Sequence, residues 1–224
     1  MSAAWPRRLA AEALGTALLL AAVVGSGIMG ERLAAGNMAI ALLANTAATG
    51  CALAVLIAVL APVSGAHFNP VVTLSLAARG AFPRALVMPY VLAQVASAIA
   101  GVALAHFMFG EPVLAIATKP RSGIHQAASE FVATFGLLLV VWACAKRANA
   151  AAPALVALWI AAAYWFTAST SFANPAVTIA RSLTDTFAGI RPSDAPLFIA
   201  AQVLGAAAAT GVSAWLFDAP EPGP

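Results

Sequence analysis

The chain has 224 residues, 62% of them hydrophobic and only 8% charged, with a mean hydropathy of +0.93, whereas an ordinary soluble domain is about 25% charged. That composition excludes a soluble enzyme or binding module and points to an integral membrane protein. The formal net charge of +3 comes from eleven Lys and Arg against eight Asp and Glu, and the basic residues lie singly or in pairs, so they read as topology signals and not as a nucleic-acid surface.

In chain order, Arg7 and Arg8 precede an apolar run from Leu9 to about Met29 that carries Glu12. This is too long for the apolar region of a signal peptide, and it is expected to be a retained first span. Further spans are expected over residues 38–61, 85–108, 125–146, 153–170 and 195–217, each rich in Ala, Leu and Val and near the roughly 20 residues that cross a bilayer. A single membrane domain over 1–224 accounts for the whole chain. With both termini in the cytoplasm, Arg7, Arg8, Arg79, Arg84, Lys146 and Arg147 lie inside. Arg32, Lys119, Arg121, Arg181 and Arg191 lie outside, and the paired charges at span ends favour this orientation.

Two segments interrupt the pattern. "AHFNPVVTLSLA" at 66–77 and "SFANPAVTIARSL" at 171–183 each put Asn-Pro before about ten residues that are too short to cross a bilayer and too apolar for an ordinary loop. Asn is a favoured helix cap and Pro a favoured first helical residue, so Asn69-Pro70 and Asn174-Pro175 read as starts of half-helices running through "VVTLSLAARG" and "AVTIARSLTD". The similarity extends further, aligning Glu12 with Glu130, Thr16 with Thr134 and Gln94 with Gln202. Each half, about 9–108 and 125–217, is three spans with a half-helix between the second and third. An odd number of crossings makes the two halves opposite in orientation, with a special site near the midplane. The expected fold is all-α: six transmembrane helices plus two re-entrant half-helices in an inverted repeat.

Non-helical backbone at membrane depth survives where protein buries it or water lines it. Two half-helices entering from opposite sides would point their positive ends at one place and repel cations. The Asn amides would cap their own helices through oxygen and offer NH2 donors to a passing hydroxyl or water. Glu12 and Glu130, the acidic residues deep in predicted spans, read as scaffold groups sharing hydrogen bonds with the re-entrant backbone, the alternative being a proton relay. His67 reads as a hydrogen-bonded wall residue of the pore. Cys51 and Cys144 have no Cys or His partner at metal-ligand spacing, so neither a metal nor a cofactor is implied. Ser26, Ser64 and His67 form no nucleophile elbow, and no enzyme is expected.

On "SGAHFNPVV", "SFANPAV", the two glutamates and the two glutamines, in order and spacing, the chain resembles the aquaporin or major intrinsic protein family over essentially its whole length. The resemblance implies a homotetramer in the cell membrane, surrounded by lipid, with one passive pore per subunit for water or small uncharged solutes. The motif residues are then Asn69, Pro70 and Val71, with Val71 in place of the usual alanine, and Asn174, Pro175 and Ala176. It also implies a four-residue selectivity filter, which falls on Thr49, Ala162, Ser171 and Val177. The family usually has an arginine where this chain has Val177, and glycerol facilitators have an aspartate where it has Thr178. None of the four filter residues is aromatic or charged, so the filter is expected to be wide and neutral, suited to glycerol, urea or neutral arsenous or boric acid.

Arg181 lies four residues after Val177, on the same helical face and roughly 6 Å further out, as a vestibule arginine or an interfacial anchor. The valine and the short loops resemble a bacterial branch associated with arsenic detoxification. Other readings are a mainly water-conducting pore, an ion-coupled secondary transporter, which also uses broken helices, and a structural junction protein.

Overall fold

The computed structural model describes residues 5–147 and 150–218, which are helical with no β-strand among them; the outermost residues of both ends of the chain lie outside the described residues. The helices are α1 Trp5–Leu33, α2 Met38–Ser64, α3 Pro70–Ala78, α4 Val87–Phe109, α5 Ile124–Arg147, α6 Ala152–Phe166, α7 Pro175–Arg181 and α8 Ala195–Phe217, with a short 3-10 turn at Arg84–Leu86. The order of two longer helices, a short one of nine or seven residues and a longer one occurs twice, α6 being the shortest of the longer helices. α1, α2, α4, α5 and α8 are long and apolar enough to cross a membrane, and α6 is a shorter apolar helix of 15 residues.

At 1.5 Å per residue α6 reaches about 22 Å, less than the roughly 30 Å hydrocarbon core. The expected span to residue 170 is corrected here. The helix stops at Phe166 because Thr167 turns to extended backbone (φ −110°, ψ 139°), and the buried segment that follows completes the depth. The second half-helix also ends earlier than expected, at Arg181. The carbonyls of Arg181, Ser182 and Leu183 are taken by the N–H groups of Ile190, Ala117 and Ala115, so the chain beyond α7 pairs with the 110–123 loop and stops coiling.

α1 packs against α4 and α2, α5 against α8 and α6, and α2 against α6 across the halves. The two short helices bridge the halves: α7 packs mainly against α4 of the first half and less against α8 of its own, and α3 packs against both α4 and α8. Small residues permit the close approaches. A Cβ on Gly101 would lie 2.2 Å from the Ala17 carbonyl oxygen, and one on Gly205 would lie 2.5 Å from that of Phe131, which is how helices approach each other in lipid, where packing replaces the hydrophobic drive. Trp5, Leu43, Val59, Leu92, Phe107 and Trp215 point outward and exposed, so the apolar surface surrounds the bundle and its polar groups lie inside. α1 begins and α2, α5 and α8 change direction or end on one face, called the terminal face below; the 110–123 and 182–194 loops form the distal face.

Candidate functional site

The site begins with two asparagine caps. Asn69 Oδ1 accepts the Val71 N–H at 3.0 Å, and Asn174 Oδ1 accepts those of Ala176 at 2.9 Å and Val177 at 3.4 Å. Pro70 and Pro175, at the first helical position, leave no orphan donor there. Each asparagine then reaches across: Asn69 Nδ2 donates to the Ala173 carbonyl and Asn174 Nδ2 to the Phe68 carbonyl, both at 2.8 Å. The half-helices therefore meet end to end, and each amide keeps one hydrogen of its NH2 group for a passing solute, because the other holds the opposite motif. The additional methyls of Val71 are absorbed in packing, the residue being 2% exposed.

The segments leading into the caps are strained in matching ways. Gly65, Ala66 and Phe68 have φ of 94°, 49° and 48°, and Thr170, Ser171 and Ala173 have 61°, 49° and 48°, a left-handed conformation costing non-glycine residues roughly 1–2 kcal/mol each. The glutamates supply the compensation. Glu12 accepts the His67 and Phe68 N–H groups at 2.9 and 2.8 Å together with the Ser64 hydroxyl, and Glu130 accepts those of Phe172 and Ala173 at 2.9 and 2.8 Å. Gln94 Nε2 bridges Glu12 to Thr73, and Gln202 Nε2 bridges Glu130 to Thr178. Thr73 and Thr178 each donate back to the cap carbonyl four residues earlier. Thr73 had no expected role and Thr178 none beyond standing where glycerol facilitators have an aspartate, although their position four residues after each asparagine could have been read from the repeat.

These segments line a continuous cavity of about 370 Å³, within the size range of small-molecule sites. Toward the terminal face its wall is apolar, with Leu76, Val141, Cys144 and Val156. His67 lines it there, with Nδ1 3.0 Å from Thr73 Oγ1 and its ring packed edge-on to Phe82 at 4.8 Å. Toward the distal face the wall becomes polar. Thr49, Ser171, Val177 and Arg181 all line it, together with Tyr164.

Ala162 does not. It is exposed on the outer side of α6, where it borders a separate groove between α5 and α6, and its assignment to the filter is corrected. The wall face of α6 is the stripe Val156, Ile160 and Tyr164, spaced by four as one helix face requires. Tyr164 is buried, with Oη 3.5 Å from Thr49 Oγ1. The distal wall therefore contains an aromatic, Tyr164, which the neutral, non-aromatic filter did not include, and a cation, Arg181, which the sequence offered as a vestibule arginine.

Arg181 is 2% exposed. Its Nε donates to the Ala188 carbonyl, and its guanidinium carbon lies 3.4 Å over the Phe172 ring, so it faces inward and is not an interfacial anchor. Arg121 supports the same ring at 5.1 Å and ties the mouth together, donating to the Gly189 and Ser169 carbonyls. Asp194 accepts the Arg121 N–H, and Asp185 accepts both the N–H and the hydroxyl of Thr118, which holds the Asp185 carboxyl below its usual range. Lys119, in the same loop, donates to the Phe187 carbonyl; burial, aided by the Arg121 charge, lowers its ammonium to about 8. No group of three or more His, Cys, Asp or Glu that could hold a metal ion occurs among the described residues.

Comparison with known proteins agrees with this architecture. Residues 1–173 match the sequence profile described as Major intrinsic protein. Aquaglyceroporin AqpS of Rhizobium meliloti is 56% identical over 216 residues, which cover 96% of this chain and 92% of that protein. Aquaporin Z of Bradyrhizobium diazoefficiens is 29% identical over 231 residues, covering 96% and 95% respectively. The crystal structure of the aquaglyceroporin from Plasmodium falciparum superposes with a TM-score of 0.75 at 20% identity, over 93% of this chain and 95% of that one, a likeness of fold.

Proposed function

Because the chain belongs to the major intrinsic protein family, a family of membrane channels for water and small solutes and not of enzymes, we propose that it passively conducts uncharged solutes larger than water: glycerol, urea or neutral metalloid hydroxides such as arsenous acid, with water also passing. The observation that carries this reading is Val177, which lines the cavity where the family resemblance expects an arginine. An aliphatic side chain there takes less of the lumen than a guanidinium and offers no fixed charge. Asn69 and Asn174 each keep one amide hydrogen for a solute at the midpoint, while the two opposed half-helix N-termini disfavour cations. A hydroxylated neutral solute exchanges its hydration for these donors; a cation meets the dipoles without a compensating ligand. The 56% identical relative, an aquaglyceroporin, supports the solute class.

The same reading makes Glu12 and Glu130 scaffold groups, because their carboxylates are occupied by backbone N–H groups. It makes the functional unit a homotetramer in the cell membrane with both ends of the chain cytoplasmic, consistent with the paired basic residues of the terminal face. Purified protein in liposomes tests it by stopped-flow light scattering with glycerol, urea and arsenous acid beside water. Permeability above that of empty liposomes for the three solutes is expected, and water permeability alone would sink the solute assignment.

A further inference from the structure

The distal wall carries polar groups that the neutral-filter reading does not use. Ser171 Oγ is buried without a hydrogen-bond partner. Tyr164 Oη and Thr49 Oγ1, at 3.5 Å, make a long contact that leaves both hydroxyls with hydrogen-bonding capacity. Arg181 is the charged residue of the cavity lining. Its Nε is committed to Ala188 and its face to Phe172, and its two terminal nitrogens have no partner among the described residues.

A buried guanidinium with unused donors is costly unless acceptors reach it. Its two terminal nitrogens form a planar fork suited to two adjacent oxygens. The fork is held rigidly by the phenyl ring beneath it and the Ala188 carbonyl behind it, so ordering it costs a passing solute little.

We propose that solute selection at the distal mouth is made by Tyr164 and Arg181 together with the filter positions Thr49 and Ser171, Arg181 standing about one helical turn outside Val177, and that this ring fits small solutes with two neighbouring hydroxyl oxygens. Arg181 donates to the pair of oxygens, and the three hydroxyls accept the solute's own O–H protons. A vicinal polyol satisfies both sides of the ring. Urea offers one carbonyl oxygen to the fork and matches it less well. Tyr164 narrows the passage that Val177 leaves open, and Arg181 reads the hydrogen-bond pattern about one helical turn further out. The proposal rests on the channel reading above and assigns the residues that discriminate within it.

The test compares glycerol, urea and water permeabilities in liposomes for wild type, Arg181→Gln, Arg181→Lys, Tyr164→Phe and Ala162→Leu. Retained water permeability certifies that each variant is folded. Loss of a charge-assisted hydrogen bond corresponds to roughly ten-fold, so Arg181→Gln is expected to lower the glycerol-to-water ratio by about that factor and to lower the glycerol-to-urea ratio as well. Arg181→Lys, which keeps the charge but loses the fork, lowers the glycerol-to-urea ratio and serves if the glutamine variant does not fold. Tyr164→Phe lowers glycerol about three-fold, the lower range for a neutral hydrogen bond, and Ala162→Leu changes neither ratio. Unchanged ratios in both Tyr164→Phe and the folded Arg181 variants, or a shift in Ala162→Leu alone, would overturn the proposal. Wild-type vesicles passing neither glycerol nor urea would instead refute the channel's solute class.

Discussion

Glu12 and Glu130 show how a charge deep in an apolar chain is used without being exposed to a solute. Each carboxylate takes two consecutive backbone N–H groups of a segment whose left-handed residues could not persist alone. Glu130→Ala leaves the Phe172 and Ala173 N–H groups buried and unpaired, at about 1–3 kcal/mol each. Glu130→Gln keeps one carbonyl acceptor and loses less. Thermal unfolding in detergent should therefore rank wild type above Gln above Ala; an alanine variant as stable as wild type would show that the segment does not depend on this carboxylate. The motif residues were legible because capping chemistry is local: Asn followed by Pro specifies a helix start wherever it occurs. Tyr164 was not legible. The end of α6 and the path of residues 167–174 depend on positive-φ backbone at Thr170, Ser171 and Ala173, which are not glycines and carry no local signal, so counting back from Asn174 placed Ala162 on the wall in error. The inward turn of Arg181 depends on Phe172, and neither spacing nor composition announces that stacking.

At the scale of elements, helix order and the half-helix positions followed from hydropathy and the repeat, whereas the bridging of the halves by the short helices followed from neither. α7 belongs in sequence to the second half yet lies mainly against α4, and α3 lies against α8 as well as α4; the crossed amide bonds of Asn69 and Asn174 lock this arrangement. Close helix contact is its precondition. Gly101→Val would drive a methyl-bearing Cβ into the Ala17 carbonyl, 2.2 Å from the position of the first added atom, and force α1 and α4 apart at about 1–3 kcal/mol. Gly211→Val is the matched control, since nothing lies within 4 Å of its Cβ position. A lowered unfolding temperature is expected for the first variant only, and equal shifts in both would mean that helix propensity, not packing, sets the response.

The whole molecule is a pseudo-symmetric scaffold around an asymmetric passage. The scaffold repeats itself down to the Glu, Gln, Thr and Asn contacts, but at equivalent positions the terminal side has His67 and the distal side has Phe172, with Arg181 stacked upon it. On the distal face the 110–123 loop braces the mouth through Thr118, Lys119 and Arg121, contacts between residues 48 to 68 positions apart that no local sequence pattern encodes. On the proposed reading selectivity is a property of one end of the passage, where the aliphatic Val177 stands in place of the arginine that the family resemblance expects. The most direct test of that account is the glycerol-to-water permeability ratio of Val177→Arg beside wild type in the same liposomes. The ratio is expected to fall at least ten-fold, one lost charge-sized interaction or its steric equivalent, while water permeability persists; a ratio equal to that of wild type would contradict the claim that Val177 opens this channel to larger solutes.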